Sequence, residues 1–153
     1  MPPAYFTNRY VFFTGGRKYL YCLGAGHRLP GGPELEFSGI KFMRTAMKVP
    51  KLTTEASVAF GHLARRNYVE LDLADARAYL AREPINLEES QCPTCTAAGY
   101  VLVRLRGVTL GTGYLREAAS AVAWPGFAPD QSGPGFRLES WFPKQWAEAV
   151  TIG

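Results

Sequence analysis

Two pairs of short strand-like runs, each folded back at glycine, constrain this chain more than any other feature. Residues 9–14 and 17–23 are rich in aromatic and β-branched types and flank Gly15-Gly16, a strong hairpin signal. Residues 100–106 and 108–115 repeat the pattern around Gly107 and are the clearest strand pair in the sequence. A third strand is expected over residues 35–43, bent at Gly39, and a last one over residues 135–142. At 153 residues the chain can bury an ordinary core as one domain with a small accessory unit. It is too short to hold a nucleotide-dependent catalytic domain together with an RNA-reading module.

Helical patterning is limited to short stretches. Residues 51–66 place Leu52, Ala56, Phe60 and Leu63 on one face, with Thr53 or Thr54 able to cap the start and Glu55 in the first turn. Residues 67–71 form a brief strand. Asp72 then caps a second short helix whose stripe is Leu73, Ala76 and Tyr79, and Pro84 closes it. Residues 24–33 and 86–98 are expected as loops, residues 117–135 as a loop, and residues 143–150 as a short terminal helix. Many short strands, few helices and glycine turns give an α+β fold of barrel-like form.

Charge is distributed unevenly. Residues 1–66 carry ten basic and three acidic residues, a net +7, whereas residues 67–153 carry seven basic and ten acidic ones, a net −3. One strongly basic portion favours a polyanionic partner, although basic side chains also serve simply to solvate a surface. The aromatic residues Tyr5, Phe6, Tyr10, Phe12, Phe13, Tyr19 and Tyr21 concentrate in the N-terminal hairpin. Core packing accounts for most of them, and an outward face could stack bases or meet a partner. No stretch has the length and apolarity of a membrane helix or a signal peptide, and three cysteines make no disulfide framework. The expectation is a cytoplasmic protein without a membrane role.

The motifs of small-molecule chemistry fail on inspection. Leu23-Gly24-Ala25-Gly26-His27 contains Gly-x-Gly, but Pro30 and Pro33 forbid the helix that a dinucleotide loop must open. Cys92-Pro93-Thr94-Cys95 has the spacing of half a zinc site, and Cys22 with His27 could complete it. A local Cys92–Cys95 disulfide, or two idle thiols in a loop, is favoured over the zinc site, which would have to bring two distant loops together. A redox role of the thioredoxin kind needs this motif at the start of a helix, whereas here it leads into a strand. His62 has no carboxylate or nucleophile near it in sequence, so no catalytic residue, resident metal or cofactor is expected.

Over residues 39–146 the order of motifs becomes specific. Gly39-Ile40-Lys41-Phe42-Met43-Arg44 precedes the first helix, and Val69-Glu70-Leu71 precedes the second. Then follow Leu110-Gly111-Thr112-Gly113 and, near the end, Leu138-Glu139-Ser140-Trp141-Phe142-Pro143-Lys144. This series resembles the PUA-like RNA-binding domain of the Nop/Sun-family RNA 5-methylcytosine methyltransferases, and is especially similar to its free-standing archaeal ribosome-biogenesis type. The resemblance implies a mixed β pseudobarrel with two short helices at residues 39–153, preceded by an aromatic hairpin and loop at residues 1–38. It implies binding to rRNA or tRNA in ribosome biogenesis or RNA modification, with no catalysis of its own and no cofactor. The residues it points to are Lys41, Arg44, Lys48, Lys51, Arg106, Arg116 and Lys144 as phosphate contacts. Gly111 and Gly113 would allow close approach of the backbone to RNA or to a packed helix, or would bend the strand. The chain departs from the family pattern at Leu138-Glu139-Ser140, where an acidic residue replaces a basic one. The rival function is a protein-interaction module that docks a partner RNA-modifying enzyme or ribosomal protein through the aromatic hairpin. A small enzyme acting on modified nucleotides is a third and weaker possibility.

Overall fold

A computed structural model describes residue 6 and residues 8–27, 38–117 and 135–150. The expected loop at residues 28–33, the start of the third strand at residues 35–37 and most of the expected loop at residues 117–135 lie outside the described residues.

The N-terminal hairpin forms as its sequence dictates. β1 (Tyr10–Gly15) and β2 (Tyr19–Gly24) pair antiparallel from Tyr10↔Gly24 to Gly15↔Tyr19. Gly16 takes a φ of +68° in the turn, a conformation that glycine adopts without steric cost. β2 then pairs with β3 (Ile40–Arg44), and β3 with β4 (Lys51–Leu52), completing a four-stranded sheet in the order β1-β2-β3-β4.

The second sheet has five strands in the order β5-β7-β8-β9-β6. These are β5 (Tyr68–Leu71), β6 (Ile85–Glu88), β7 (Gly99–Leu105), β8 (Val108–Glu117) and β9 (Gly135–Ser140). β5 runs parallel to β7 and the other pairings are antiparallel, so the sheet is mixed. Its core face buries Val69, Leu71, Val101, Val103, Leu115 and Leu138 against α2 (Leu73–Leu80) and α3 (Lys144–Val150). Tyr79 of α2 is fully buried there, and its hydroxyl donates to the Thr112 carbonyl at 2.9 Å.

The opposite face is covered by α1 (Thr54–Phe60), which touches β3 of the first sheet as well as β8 of the second. Thr53 caps this helix through its side chain, accepting from the Ala56 N–H at 3.2 Å. Phe60 at its end meets Phe6, Tyr10 and Phe42 at ring separations of 5.6, 5.2 and 5.7 Å. Aromatic packing therefore joins the hairpin to the helix. Arg104, 7% exposed, rises from β7 to donate to the carbonyls of Gly61 and Ala64, and its guanidinium lies 4.0 Å over the Tyr68 ring. These contacts tie the exit of α1 to the second sheet.

The expected α+β class holds, with two corrections. The helix over residues 51–66 begins only at Thr54, because Lys51 and Leu52 pair with Arg44 and Met43, and it tightens to a 3₁₀ turn at Gly61–Leu63. The loop over residues 86–98 loses its first part to β6, where Ile85 and Leu87 are buried while Asn86 and Glu88 face out. The expected terminal helix is present as α3, beside the two expected within the chain. No helix among them is long and apolar enough to cross a membrane.

Candidate nucleic-acid interface

Cross-strand register puts Tyr100, Tyr114 and Glu139 on one face of the second sheet. Tyr100 is the register partner of Tyr114, and Tyr114 of Glu139. The two tyrosine rings meet edge to face at 5.0 Å. Tyr100 also meets Trp141 edge to face at 5.6 Å. Trp141 follows β9 in a well-anchored segment. Its N–H donates to the Thr112 carbonyl at 3.2 Å, Ser140 Oγ donates to the Tyr79 carbonyl at 2.7 Å, and Phe142 is buried beside Tyr79. Arg82, just past α2, donates to the Phe142 carbonyl from the other side. Trp141 as a whole residue stays 40% exposed.

Cations from both sheets converge on these rings. Lys51 of β4 places Nζ 4.0 Å over the Trp141 ring and 5.7 Å from that of Tyr100. Its proton affinity falls from the usual 10.5 to about 8 because the site is half-buried, and because the charges of Arg44 and Arg82 add to that effect. Arg116 lies 5.1 Å over the Tyr114 ring and forms a two-pronged pair with Glu139, at 2.6 and 3.3 Å. That hydrogen-bonded carboxylate raises the Arg116 pKa further. Burial raises the Tyr100 phenol, so it stays neutral and apolar in character at ordinary pH. The arrangement is a set of perpendicular aromatic rings bordered by positive charge, which suits a ligand that is at once flat and anionic.

Of the residues singled out from sequence, Lys51, Arg44 and Arg116 gather here. Lys41 lies on β3 with Nζ 5.5 Å over the Tyr19 ring, and Lys48 is exposed in the link from β3 to β4. Arg106, with φ +50°, sits in the turn at the far end of β7 from Tyr100. Lys144 opens α3 and faces Glu148 at 3.8 Å. Gly111 and Gly113 are buried toward the core face. A Cβ at Gly111 would stand 2.6 Å from the Tyr79 hydroxyl, and one at Gly113 would stand 2.6 Å from the Leu138 side chain. What the two glycines visibly permit is close packing of α2 and β9 on β8.

Tyr100, Tyr114, Trp141 and Arg82 were missed by sequence reasoning. The hairpin alternation of residues 100–115 carried the signal for the tyrosine pair, since it sets Tyr100 opposite Tyr114. Cys92 and Cys95 are both reduced thiols and face each other across a turn closed by Cys95 N–H to the Cys92 carbonyl at 2.9 Å. A hydrogen bond from the Cys92 thiol lowers the pKa of Cys95 and raises that of Cys92. Cys22 lies on β2 in the other sheet, and no group of three metal-ligating side chains occurs among the described residues.

Residues 66–118 match the family model described as the methyltransferase RsmF PUA domain. The chain is also similar to the ribosomal RNA small subunit methyltransferase F of Aeromonas hydrophila subsp. hydrophila and to that of Aeromonas salmonicida. Each is 36% identical over 75 residues, which is 49% of this chain and 15% of the relative. The chain thus spans a minor part of the length of these curated relatives. No solved structure matches it. Together with the mixed, curled sheet, the match makes the fold a PUA-like pseudobarrel, similar to the PUA-like domain of Sun-family proteins.

Proposed function

We propose that this chain is an RNA-binding module acting on rRNA or tRNA in ribosome biogenesis or RNA modification, with no catalysis of its own. The observation that carries the reading is the convergence of Lys51, Arg44 and Arg116 on the Tyr100–Tyr114–Trp141 cluster. The family match and the names of the two relatives, small-subunit ribosomal RNA methyltransferases, support the choice of RNA as the polyanion. In this reading the cations meet phosphates, with Lys41 and Lys48 extending the path along the first sheet. Arg106 and Lys144 are peripheral contacts, and Gly111 and Gly113 shape the fold beneath. The free-standing archaeal type and the division at residue 38 belong to the same proposal.

The test is affinity for a structured rRNA fragment at low salt. Arg44→Glu combined with Lys51→Met should weaken binding and reduce the dependence of log K on log salt by about two phosphate contacts. Unchanged affinity and slope would remove this face as the RNA site. The second reading, docking of a partner protein through the hairpin, has one observation in its favour: Val11 and Phe13 on β1 are 50% and 36% exposed.

A further inference from the structure

We infer that the RNA recognised by this face is unpaired, and that Trp141 stacks one of its bases while Lys51 and Arg44 hold the adjoining phosphates. The inference rests on the RNA-binding reading above and specifies the form of RNA.

The geometry of the rings is the first argument. Tyr100 meets both Tyr114 and Trp141 at interplanar angles of 85°, so neither ring lies flat on Tyr100. Edge-to-face contact fixes the orientation of both rings and takes up one flat face of only one of them. Trp141 has Lys51 over its ring and remains 40% exposed, which leaves indole surface for a planar ligand. The second argument is rigidity. Trp141 is held by its backbone hydrogen bond to Thr112, and its two neighbours are tied to Tyr79 through Ser140 and buried through Phe142. A platform fixed in this way loses little conformational entropy when a base settles on it.

The third argument concerns what RNA can offer. In an A-form duplex the bases are stacked on one another and the major groove is too deep and narrow for side chains to enter. A lone indole at the protein surface can stack only on a base already out of the helix, in a loop, a bulge or a single strand. Phosphates flanking such a base would fall near Lys51 and Arg44, which adjoin in register on β4 and β3.

The experiment compares labelled single strands, oligo(A) and oligo(U) of ten nucleotides, with a blunt ten-base-pair RNA duplex, by fluorescence anisotropy at one salt concentration. The full chain should bind the strands at least about tenfold more tightly than the duplex. Trp141→Ala should lose about five- to hundredfold in strand affinity with little change toward the duplex, and Trp141→Phe should restore part of the loss. Thermal melting of each variant establishes that it folds. Equal affinity of the full chain for strand and duplex, or strand affinity indifferent to Trp141→Ala, would overturn the stacking inference while the RNA-binding reading stands. No binding to any of the three RNAs would overturn both.

Discussion

Raising the pH from 7 to 9 should weaken RNA binding through Lys51. In the unbound protein, partial burial and then the charges of Arg44 and Arg82 depress the Lys51 ammonium to about 8, against its usual 10.5. An RNA phosphate beside Nζ favours the charged form and draws the pKa back toward the ordinary lysine value. The sign follows. Near pH 7 the amine is already protonated and binding needs no proton. Near pH 9 about nine-tenths of it is neutral, and binding must take up a proton from solution. With values of 8 unbound and near 10.5 bound, affinity would fall about tenfold across this window. Solvent screening at a half-exposed side chain reduces the expectation to about three- to tenfold. Anisotropy with oligo(A) suits the measurement, because adenine does not titrate in this range, and constant ionic strength isolates the proton effect. The raised phenol of Tyr100 adds no titration there. Lys51→Met should abolish the slope. A slope that persists in Lys51→Met, or a flat profile for the unaltered protein, would refute the assignment of Lys51 to the phosphate.

Three further outcomes are expected. Gly111→Ala drives a Cβ to within 2.6 Å of the buried Tyr79 hydroxyl and should cost about 1–3 kcal/mol, read as a shift of the urea midpoint at unchanged slope. Arg104→Met removes the donors to the Gly61 and Ala64 carbonyls and should cost about 2–3 kcal/mol in the same assay; a loss under half of that would mean that α1 does not depend on this tie. Iodoacetamide should alkylate Cys95 before Cys92, with a half-maximal rate below the usual thiol pKa of 9.0, because hydrogen bonding from Cys92 favours the Cys95 thiolate. Peptide mapping by mass spectrometry reads the order, and faster labelling of Cys92 would contradict it.

Both glycine-turned hairpins, and the caps at Thr53 and Asp72, were legible in the sequence because each depends on local chemistry. β4 and β6 were not. A two-residue strand such as Lys51–Leu52 has no pattern of its own and exists because Arg44 and Met43 offer it a register. Ile85–Glu88 alternates, but Pro84 and its brevity gave it the look of a loop until β9 paired with it. The site divides in the same way. The family resemblance pointed to Arg44, Lys51 and Arg116. The tyrosines and Trp141 became partners only through cross-strand register and the anchoring of residues 140–142, which are long-range effects. The richest aromatic run, in the hairpin, drew attention to β1 and β2. Much of its substance is spent on Phe60 and the docking of α1.

That docking governs more than stability. Lys51 enters from the first sheet and the rings from the second, and α1 touches both β3 and β8, so loosening the helix should disturb how cation and indole meet. The family-matched segment, residues 66–118, contains Tyr100, Tyr114 and Arg116, whereas Lys51, Arg44 and Trp141 all lie beyond it. An excised copy of that segment would carry half a surface. If RNA binds as proposed, a substitution that loosens Phe60 among the hairpin aromatics should alter nucleic-acid affinity without touching a residue that meets the ligand.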